Sequence, residues 1–200
     1  NIKVKLKKMK KTIVFDVDGV ITDSGQNKEN IIKDILVKHK LFELPWVSDI
    51  FWIGLNRILL LDKIYQIQAF DQDVVLGEIN RELAIQESKV SLIPTTFDFI
   101  KKYSEEYDFF TNTSLPKSSL LKIFGDLDIW KYFMELLAYD DGSKRENIEY
   151  IMQVYDVLPE NILFIDDKMS HIDAVKSTWV HTLLFKQDGV SLEKKIKEIY

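Results

Sequence analysis

The chain has 200 residues, of which 46% are hydrophobic and 30% charged, and this is the composition of an ordinary globular protein. Its net charge of −5 gives no general electrostatic attraction to nucleic acid or anionic lipid, and the absence of cysteine excludes disulfides and thiolate metal sites. The most apolar segment, residues 50–61, contains Asn56 and Arg57 and is too short to cross a bilayer, so we expect no membrane partner and a cytoplasmic location.

Residues 1–11 are rich in lysine. They contain no apolar run of the kind found in signal peptides. The alternation of Ile2, Val4 and Leu6 with lysines is compatible with a short edge strand and equally with a solvated basic tail. The sequence leaves these two alternatives open.

Apolar runs bounded by turn signals alternate along the chain with apolar residues at helical spacing, which indicates an α/β fold with a parallel sheet. The helices between strands provide the crossover connections that parallel pairing requires. The predicted strands, in chain order, are residues 12–15, 107–110, 136–139, 162–165 and 180–185, of which the third has the weakest signal. Helical patterns follow around residues 97–103, 116–125, 148–155 and 192–199.

The segment directly after the first strand differs from the rest of the chain, because it contains no convincing strand. Its apolar residues are spaced as in helices over residues 27–40, 48–66 and 71–87. We therefore predict an α/β core domain of residues 1–23 and 94–200, interrupted by a helical cap domain of residues 24–93.

Polar residues follow three of the predicted strands at the point where each strand ends, and a lysine precedes a later helix. Each has a plain explanation when it is considered alone, as a turn residue, a helix cap or a solvated lysine. Ligands of open parallel sheets, however, bind at the carboxyl ends of the strands. Clustered carboxylates there repel one another unless a cation or protons neutralise them, and a hard cation such as Mg²⁺ suits oxygen ligands. A lysine and a hydroxyl alongside suit a phosphate group. The residues concerned are Asp16, Asp18, Thr111, Asn112, Lys144, Asp166 and Asp167.

This arrangement resembles the four motifs of the haloacid dehalogenase superfamily, in their order. The motifs are Asp16-Val17-Asp18-Gly19-Val20 after an apolar strand, Phe110-Thr111-Asn112, Lys144, and Phe164-Ile165-Asp166-Asp167. The resemblance covers residues 12–23 and 94–190. It implies a Rossmann-like parallel sheet core, and the helical insertion looks like the first of that family's cap types.

The resemblance also implies roles for these residues. Asp16 would be the nucleophile that forms an aspartyl-phosphate, and Asp18 the general acid and then the general base. Lys144 would stabilise Asp16 and the phosphate charge, and Thr111 with the backbone N–H of Asn112 would bind phosphoryl oxygens. Mg²⁺ would be held by Asp16, by the backbone carbonyl of Asp18 and by one of the pair Asp166 and Asp167, of which Asp167 matches the family better.

The implied activity is Mg²⁺-dependent hydrolysis of a small phosphorylated metabolite. A sugar-phosphate mutase of the same superfamily, or a non-catalytic binding protein on the same fold, is the alternative. A metal-independent dehalogenase is disfavoured, because that branch lacks an acid at the position of Asp18. The cap contributes no assigned substrate residue, although several of its basic residues and its two tryptophans are candidates: Lys28, Lys33, Lys38, His39, Arg57, Lys63, Arg81, Trp46 and Trp52.

Two positions depart from the family pattern. Arg145 follows Lys144 where a proline is common. His171 occupies a position that often holds an acidic residue, and we interpret it as a solvated residue near the mouth of the site, with contact to a substrate as the alternative. Asp173 could replace that acid, but Ser170-x-x-Asp173 reads as a capping box, and we favour the cap.

Overall fold

The computed structural model describes residues 10–51, 55, 57–87 and 89–200, so the strand or tail considered for the N-terminus lies outside the described residues, and so does Trp52. The strands are β1 (Lys11–Phe15), β2 (Tyr107–Asn112), β3 (Glu135–Leu137), β4 (Ile162–Asp166) and β5 (His181–Leu184). The helices are α1 (Gly25–Lys38), α2 (Val47–Phe51), α3 (Arg57–Tyr65), α4 (Gln72–Glu87), α5 (Pro94–Tyr103), α6 (Lys117–Asp126), α7 (Lys144–Tyr155), α8 (Met169–Val175) and α9 (Leu192–Ile199). In this part of the chain, none of the helices is long and apolar enough to cross a membrane.

The five strands form one parallel sheet in the order β3-β2-β1-β4-β5. β1 lies at the centre, with Phe15 opposite Thr111 of β2 and opposite Ile165 of β4. The sheet therefore confirms the predicted α/β fold. It includes β3, the strand whose sequence signal is the weakest. Because β1, β2 and β4 are neighbours in register, the residues that follow them meet at one edge of the sheet.

Successive residues of the central strands point to opposite faces of the sheet, and each face has its own apolar cluster. Ile13 and Phe15 belong to one cluster, which also contains buried residues of α5, α6 and α9. Val14 belongs to the other, which contains buried residues of α7 and α8. Both faces of the sheet are covered, as is usual for a parallel sheet.

The helices α1–α4 pack around a third apolar cluster, whose buried members include Leu36, Leu61 and Ile79. The helix predicted over residues 48–66 is two helices, α2 and α3, and residues 52–54 and 56 between them lie outside the described residues. The two segments that connect this helical cap to the core lie side by side. The Ser91 hydroxyl on one of them donates to an oxygen of Asp23 on the other, at 2.6 Å. The exact domain boundaries stay a prediction.

The predicted capping box at Ser170 is wrong. Helix α8 begins at Met169, one residue before Ser170, and no side-chain cap hydrogen bond is formed at its start. Asp173 lies instead on the exposed side of α8, where its carboxylate contacts the ammonium of Lys176. A reciprocal capping box does form at the start of α7, between Ser143 and Glu146. It satisfies two backbone N–H groups there and fixes the first turn of the helix that carries Lys144.

Candidate active site

The loop after β1 presents two carboxylates at the edge of the sheet. Its backbone folds back on the carbonyl of Val17, which accepts the N–H groups of Ile21 and Thr22, both at 2.9 Å. The Val17 and Ile21 side chains are fully buried and anchor this turn in the core. Asp16, which is almost completely buried, and the partly exposed Asp18 therefore occupy defined positions at the carboxyl end of β1.

A buried lysine connects the ends of β1 and β4. The ammonium of Lys144 lies 2.6 Å from Oδ1 of Asp16 and 3.0 Å from Oδ2 of Asp166, and it also donates to the backbone carbonyl of Asn112. Burial would lower the pKa of Lys144, but the two carboxylates outweigh burial and raise it. The lysine is therefore charged at neutral pH and neutralises part of the carboxylate cluster.

Asp166 is enclosed by partners. Besides Lys144, its oxygens contact Nδ1 of His171 at 3.0 Å, and one of them accepts the backbone N–H of Lys168 at 2.9 Å. Burial would raise the pKa of Asp166, but Lys144 and His171 lower it to about 2. The interpretation of His171 as a solvated residue is wrong, because its side chain is only 14% exposed and is directed at Asp166.

Asp167 differs from Asp16 and Asp166 in its hydrogen bonding. Its Oδ1 is buried without a hydrogen-bond partner among the described residues. Burial, together with the charges of Asp16 and Asp166, raises its pKa to about 7. Burial likewise raises the pKa of Asp16, against the opposing effect of Lys144. Oxygens of Asp16, Asp166 and Asp167 lie within 4.8 Å of one another, so this set fits a hard divalent cation.

The two polar residues at the end of β2 have structural partners. The hydroxyl of Thr111 is fully buried and donates to the carbonyl of Leu137 at 3.1 Å. The side-chain amide of Asn112 donates to the carbonyl of Lys144 at 2.8 Å, which ties the start of α7 to the sheet. The next two residues in the chain, Thr113 and Ser114, line the cavity above Asp16 instead.

A cavity of about 120 Å³ lies between this edge of the sheet and the cap. Asp16 and Asp18 line it from the core, and each of the four cap helices contributes at least one lining residue. Its wall on the cap side is mainly apolar, with Lys28, Glu29 and Arg57 as the charged cap residues that line it. Of the basic residues noted in the cap, Lys28 and Arg57 thus reach the site.

Two ion pairs connect the start of α1 to the core. The Lys28 ammonium lies 2.9 Å from Asp18 Oδ1 and 3.0 Å from Oδ2. Glu29 contacts the Lys168 ammonium at 2.6 Å. No local signal in the sequence distinguishes Glu29 and Lys168 from solvated residues. They meet because α1 lies over the carboxyl ends of the strands.

We expect Gly19→Ala to lower the free energy of unfolding by more than the roughly 1–2 kcal/mol that a left-handed backbone alone costs a residue with a side chain. Gly19 has a φ of +82°, and a Cβ there would overlap the carboxylate of Asp167. Gly189→Ala is the matched control, since its φ is +80° and nothing lies within 4 Å of the added Cβ. Urea unfolding measures both variants, and equal losses would contradict the importance of the contact with Asp167.

This chain is similar to one protein family in sequence and to many solved structures in fold. The sequence profile of a family described as haloacid dehalogenase-like hydrolase matches residues 10–177. No curated protein matches the chain.

Solved structures share the fold at low sequence identity. A candidate hydrolase of this type, YfnB from Bacillus subtilis, solved with magnesium bound, is 18% identical, with a TM-score of 0.68, over 96% of this chain and 99% of that chain. A candidate phosphoglycolate phosphatase from Lactobacillus plantarum is 17% identical, with a TM-score of 0.68, over 87% and 85% of the two chains. A candidate β-phosphoglucomutase from Thermotoga maritima is 18% identical, with a TM-score of 0.61, over 92% and 91%.

Proposed function

The chain belongs to the haloacid dehalogenase-like hydrolases, and on this basis we propose that it is a Mg²⁺-dependent phosphatase acting on small phosphate monoesters through an aspartyl-phosphate. The observation that carries the proposal is the carboxylate cluster around Lys144, in which an oxygen of Asp167 is buried without a partner among the described residues. A bound cation would stabilise a buried cluster of this kind, and a phosphate ester is a substrate that a cation and a lysine together attract.

In the first step, a carboxylate oxygen of Asp16 attacks phosphorus, and the bond from phosphorus to the ester oxygen breaks. Lys144 holds the attacking carboxylate in place through its contact of 2.6 Å with Oδ1. Asp18 lines the same cavity, and in its protonated form it gives its proton to the departing oxygen, so that an alcohol leaves rather than an alkoxide. The product of this step is a phosphoryl group bound to Asp16.

In the second step, water attacks the phosphoryl group and releases inorganic phosphate. Asp18, now a carboxylate, accepts the proton of that water, so the enzyme returns to its starting state. The cap lies over the cavity, and the organic group of the substrate would contact its mainly apolar wall.

Phosphoryl oxygens are best placed to interact with Thr113 and Ser114, which line the cavity. The motif leads one to expect this role for Thr111 and Asn112. Their side chains instead donate hydrogen bonds to the backbone carbonyls of Leu137 and Lys144 and so hold the site's surroundings in place. The backbone N–H of Asn112 remains a proposed donor to the phosphoryl group.

Asp16, Asp167 and the backbone carbonyl of Asp18 would hold the cation. Asp166 is the weaker candidate as a direct ligand, because its oxygens already contact Lys144, His171 and a backbone N–H. Mg²⁺ supplies positive charge that offsets the repulsion between a carboxylate nucleophile and a phosphate.

We expect Mg²⁺ to raise the melting temperature of the protein and to be required for phosphate release from small esters. The rise should be larger at about pH 8 than at about pH 6, since the Asp167 carboxyl, with its pKa raised to about 7, binds a proton in competition with the cation at the lower pH. Differential scanning fluorimetry with and without Mg²⁺ measures the shift, and a phosphate assay measures the activity.

Asp167→Asn should abolish the Mg²⁺-dependent shift. Without the cation the same variant should melt higher than the wild type at about pH 8, because it removes a carboxylate whose ionisation is disfavoured in the folded state. Asp173→Asn, at an exposed position on α8, is the matched control and should keep the shift. If Mg²⁺ still raised the melting temperature of Asp167→Asn, this assignment of the cation site would be wrong.

A further inference from the structure

A lysine of the cap is buried against a carboxylate of the core. Lys28 lies in the second turn of α1 and is only 8% exposed, which is uncommon for lysine unless it is paired. Its ammonium contacts both oxygens of Asp18, at 2.9 and 3.0 Å. Both residues line the cavity above Asp16, so the ion pair faces the space that a substrate would occupy.

Asp18 is also fixed by hydroxyl groups from the segment that leads into the cap. The Ser24 hydroxyl donates to Asp18 Oδ1, and it lies 2.8 Å from the hydroxyl of Thr22. The Thr22 hydroxyl in turn donates to the carbonyl of Val17, a residue of the turn after β1, at 3.2 Å. These contacts, together with Lys28, hold the Asp18 carboxyl from two directions and restrict its rotation.

A purely structural role would be to fasten the cap to the core. That role already has another pair of residues, because Glu29 contacts Lys168 on the core at 2.6 Å. Lys28 differs in that its partner is the residue proposed to transfer protons. A proton donor must lie within hydrogen-bond reach of the departing oxygen, so the orientation of its carboxyl matters more than its presence.

We propose that Lys28 is a positioning residue of the cap that holds the Asp18 carboxyl in the orientation needed for proton transfer. This inference rests on the proposed phosphatase function. It makes the cap a contributor to the acid–base step, beyond covering the cavity. When the bond from phosphorus to the ester oxygen breaks, the proton passes from Asp18 to that oxygen, and Lys28 faces the carboxylate that remains.

The test compares two esters of similar size that differ in the leaving group. The departing 4-nitrophenolate needs no proton, whereas the alcohol of benzyl phosphate leaves only if it is protonated. In Lys28→Met, kcat/KM for benzyl phosphate should fall roughly 10- to 100-fold, and kcat/KM for 4-nitrophenyl phosphate should change little. The ratio kcat/KM is used because it reports the steps up to phosphoryl transfer and not the later hydrolysis of the aspartyl-phosphate.

Two variants serve as references. Asp18→Asn should give the same dependence on the leaving group, with a larger loss for benzyl phosphate. Lys38→Met removes an exposed lysine of the same helix, whose ion pair with Glu78 lies within the cap, and should leave both esters unaffected. An equal loss for both esters in Lys28→Met, or no loss for benzyl phosphate, would overturn the role of Lys28.

Hydrolysis of neither ester by the wild type would instead overturn the proposed function. The position of the carboxyl can be tested without any activity, by a crystal structure of Lys28→Met. We expect the Asp18 side chain to adopt another rotamer or more than one there. An Asp18 carboxyl that keeps its orientation in the variant would overturn the inference by itself.

Discussion

Replacement of Asp16 by Asn should lower kcat for the hydrolysis of phosphate esters by at least about 10³-fold, because an amide offers no carboxylate oxygen to attack phosphorus. The substitution keeps the shape of the side chain. The Lys144 ammonium also keeps its contact of 3.0 Å with Asp166. The loss of activity should therefore come from chemistry and not from unfolding.

The melting temperature separates these two causes. Burial raises the pKa of Asp16, so its ionised form is disfavoured in the folded protein, and a neutral amide should leave the melting temperature unchanged or raise it. Asp126→Asn, at the exposed end of α6, is the matched control for activity and should behave as the wild type. Mass spectrometry of the acid-quenched wild-type reaction should find a phosphoryl group on the peptide that contains Asp16. Turnover by Asp16→Asn at the wild-type rate would rule out this nucleophile.

Lys144→Met should lower the free energy of unfolding by about 3–5 kcal/mol at neutral pH, because it leaves two buried carboxylates without their ammonium. The pKa of Lys144 is raised above its ordinary value. The stabilisation that it brings is therefore complete below the pKa of lysine in the unfolded chain, and it disappears only as the pH rises through the raised value. Neutral pH lies well below both, so the whole effect should appear there in urea unfolding.

Lys122→Met is the control for this measurement. Lys122 is an exposed lysine of α6, and its ammonium lies 3.0 Å from Asp126, one helical turn away. Exposed pairs of this kind contribute about 0.3–0.5 kcal/mol, so its loss should be small. Lys144→Met should also lose phosphate release, since Asp16 would no longer be oriented. If the two lysine variants lost the same stability, the buried cluster would not depend on Lys144.

The meeting of polar residues from separate strands can be expected from the apolar runs of the sequence alone. Parallel strands place their carboxyl ends at one edge, and each strand was visible as an apolar run. Asp16, Asp166 and Asp167 accordingly lie within a few ångströms of one another, and Lys144 lies between two of them. Their chemical roles stay predictions until the variants are measured.

The contacts that local sequence does not indicate depend on the direction of individual side chains. Residues 111–114 are four consecutive polar residues. Which of their hydroxyls faces the cavity depends on where β2 ends, because side chains alternate between the two faces of the sheet only within the strand. The Thr111 hydroxyl donates to Leu137, across the sheet edge, so Thr113 and Ser114 line the cavity. The same limit explains His171, whose contact with Asp166 across one turn of chain is not indicated by the residue types around it.

The α/β class, the helical insertion after the first strand and the set of acidic and basic groups that follow the strands can all be predicted from the amino-acid sequence. These features depend on periodicity and on the order of residues along the chain. Two other features become visible only in the folded protein: the carboxylate oxygen that lacks a hydrogen-bond partner, and the cap lysine that contacts the core. Asp167 has a buried oxygen without a partner among the described residues, and Lys28 contacts Asp18, because β4 and α1 lie against the end of β1. Such proximity between distant segments follows from packing, which periodicity along the chain does not encode.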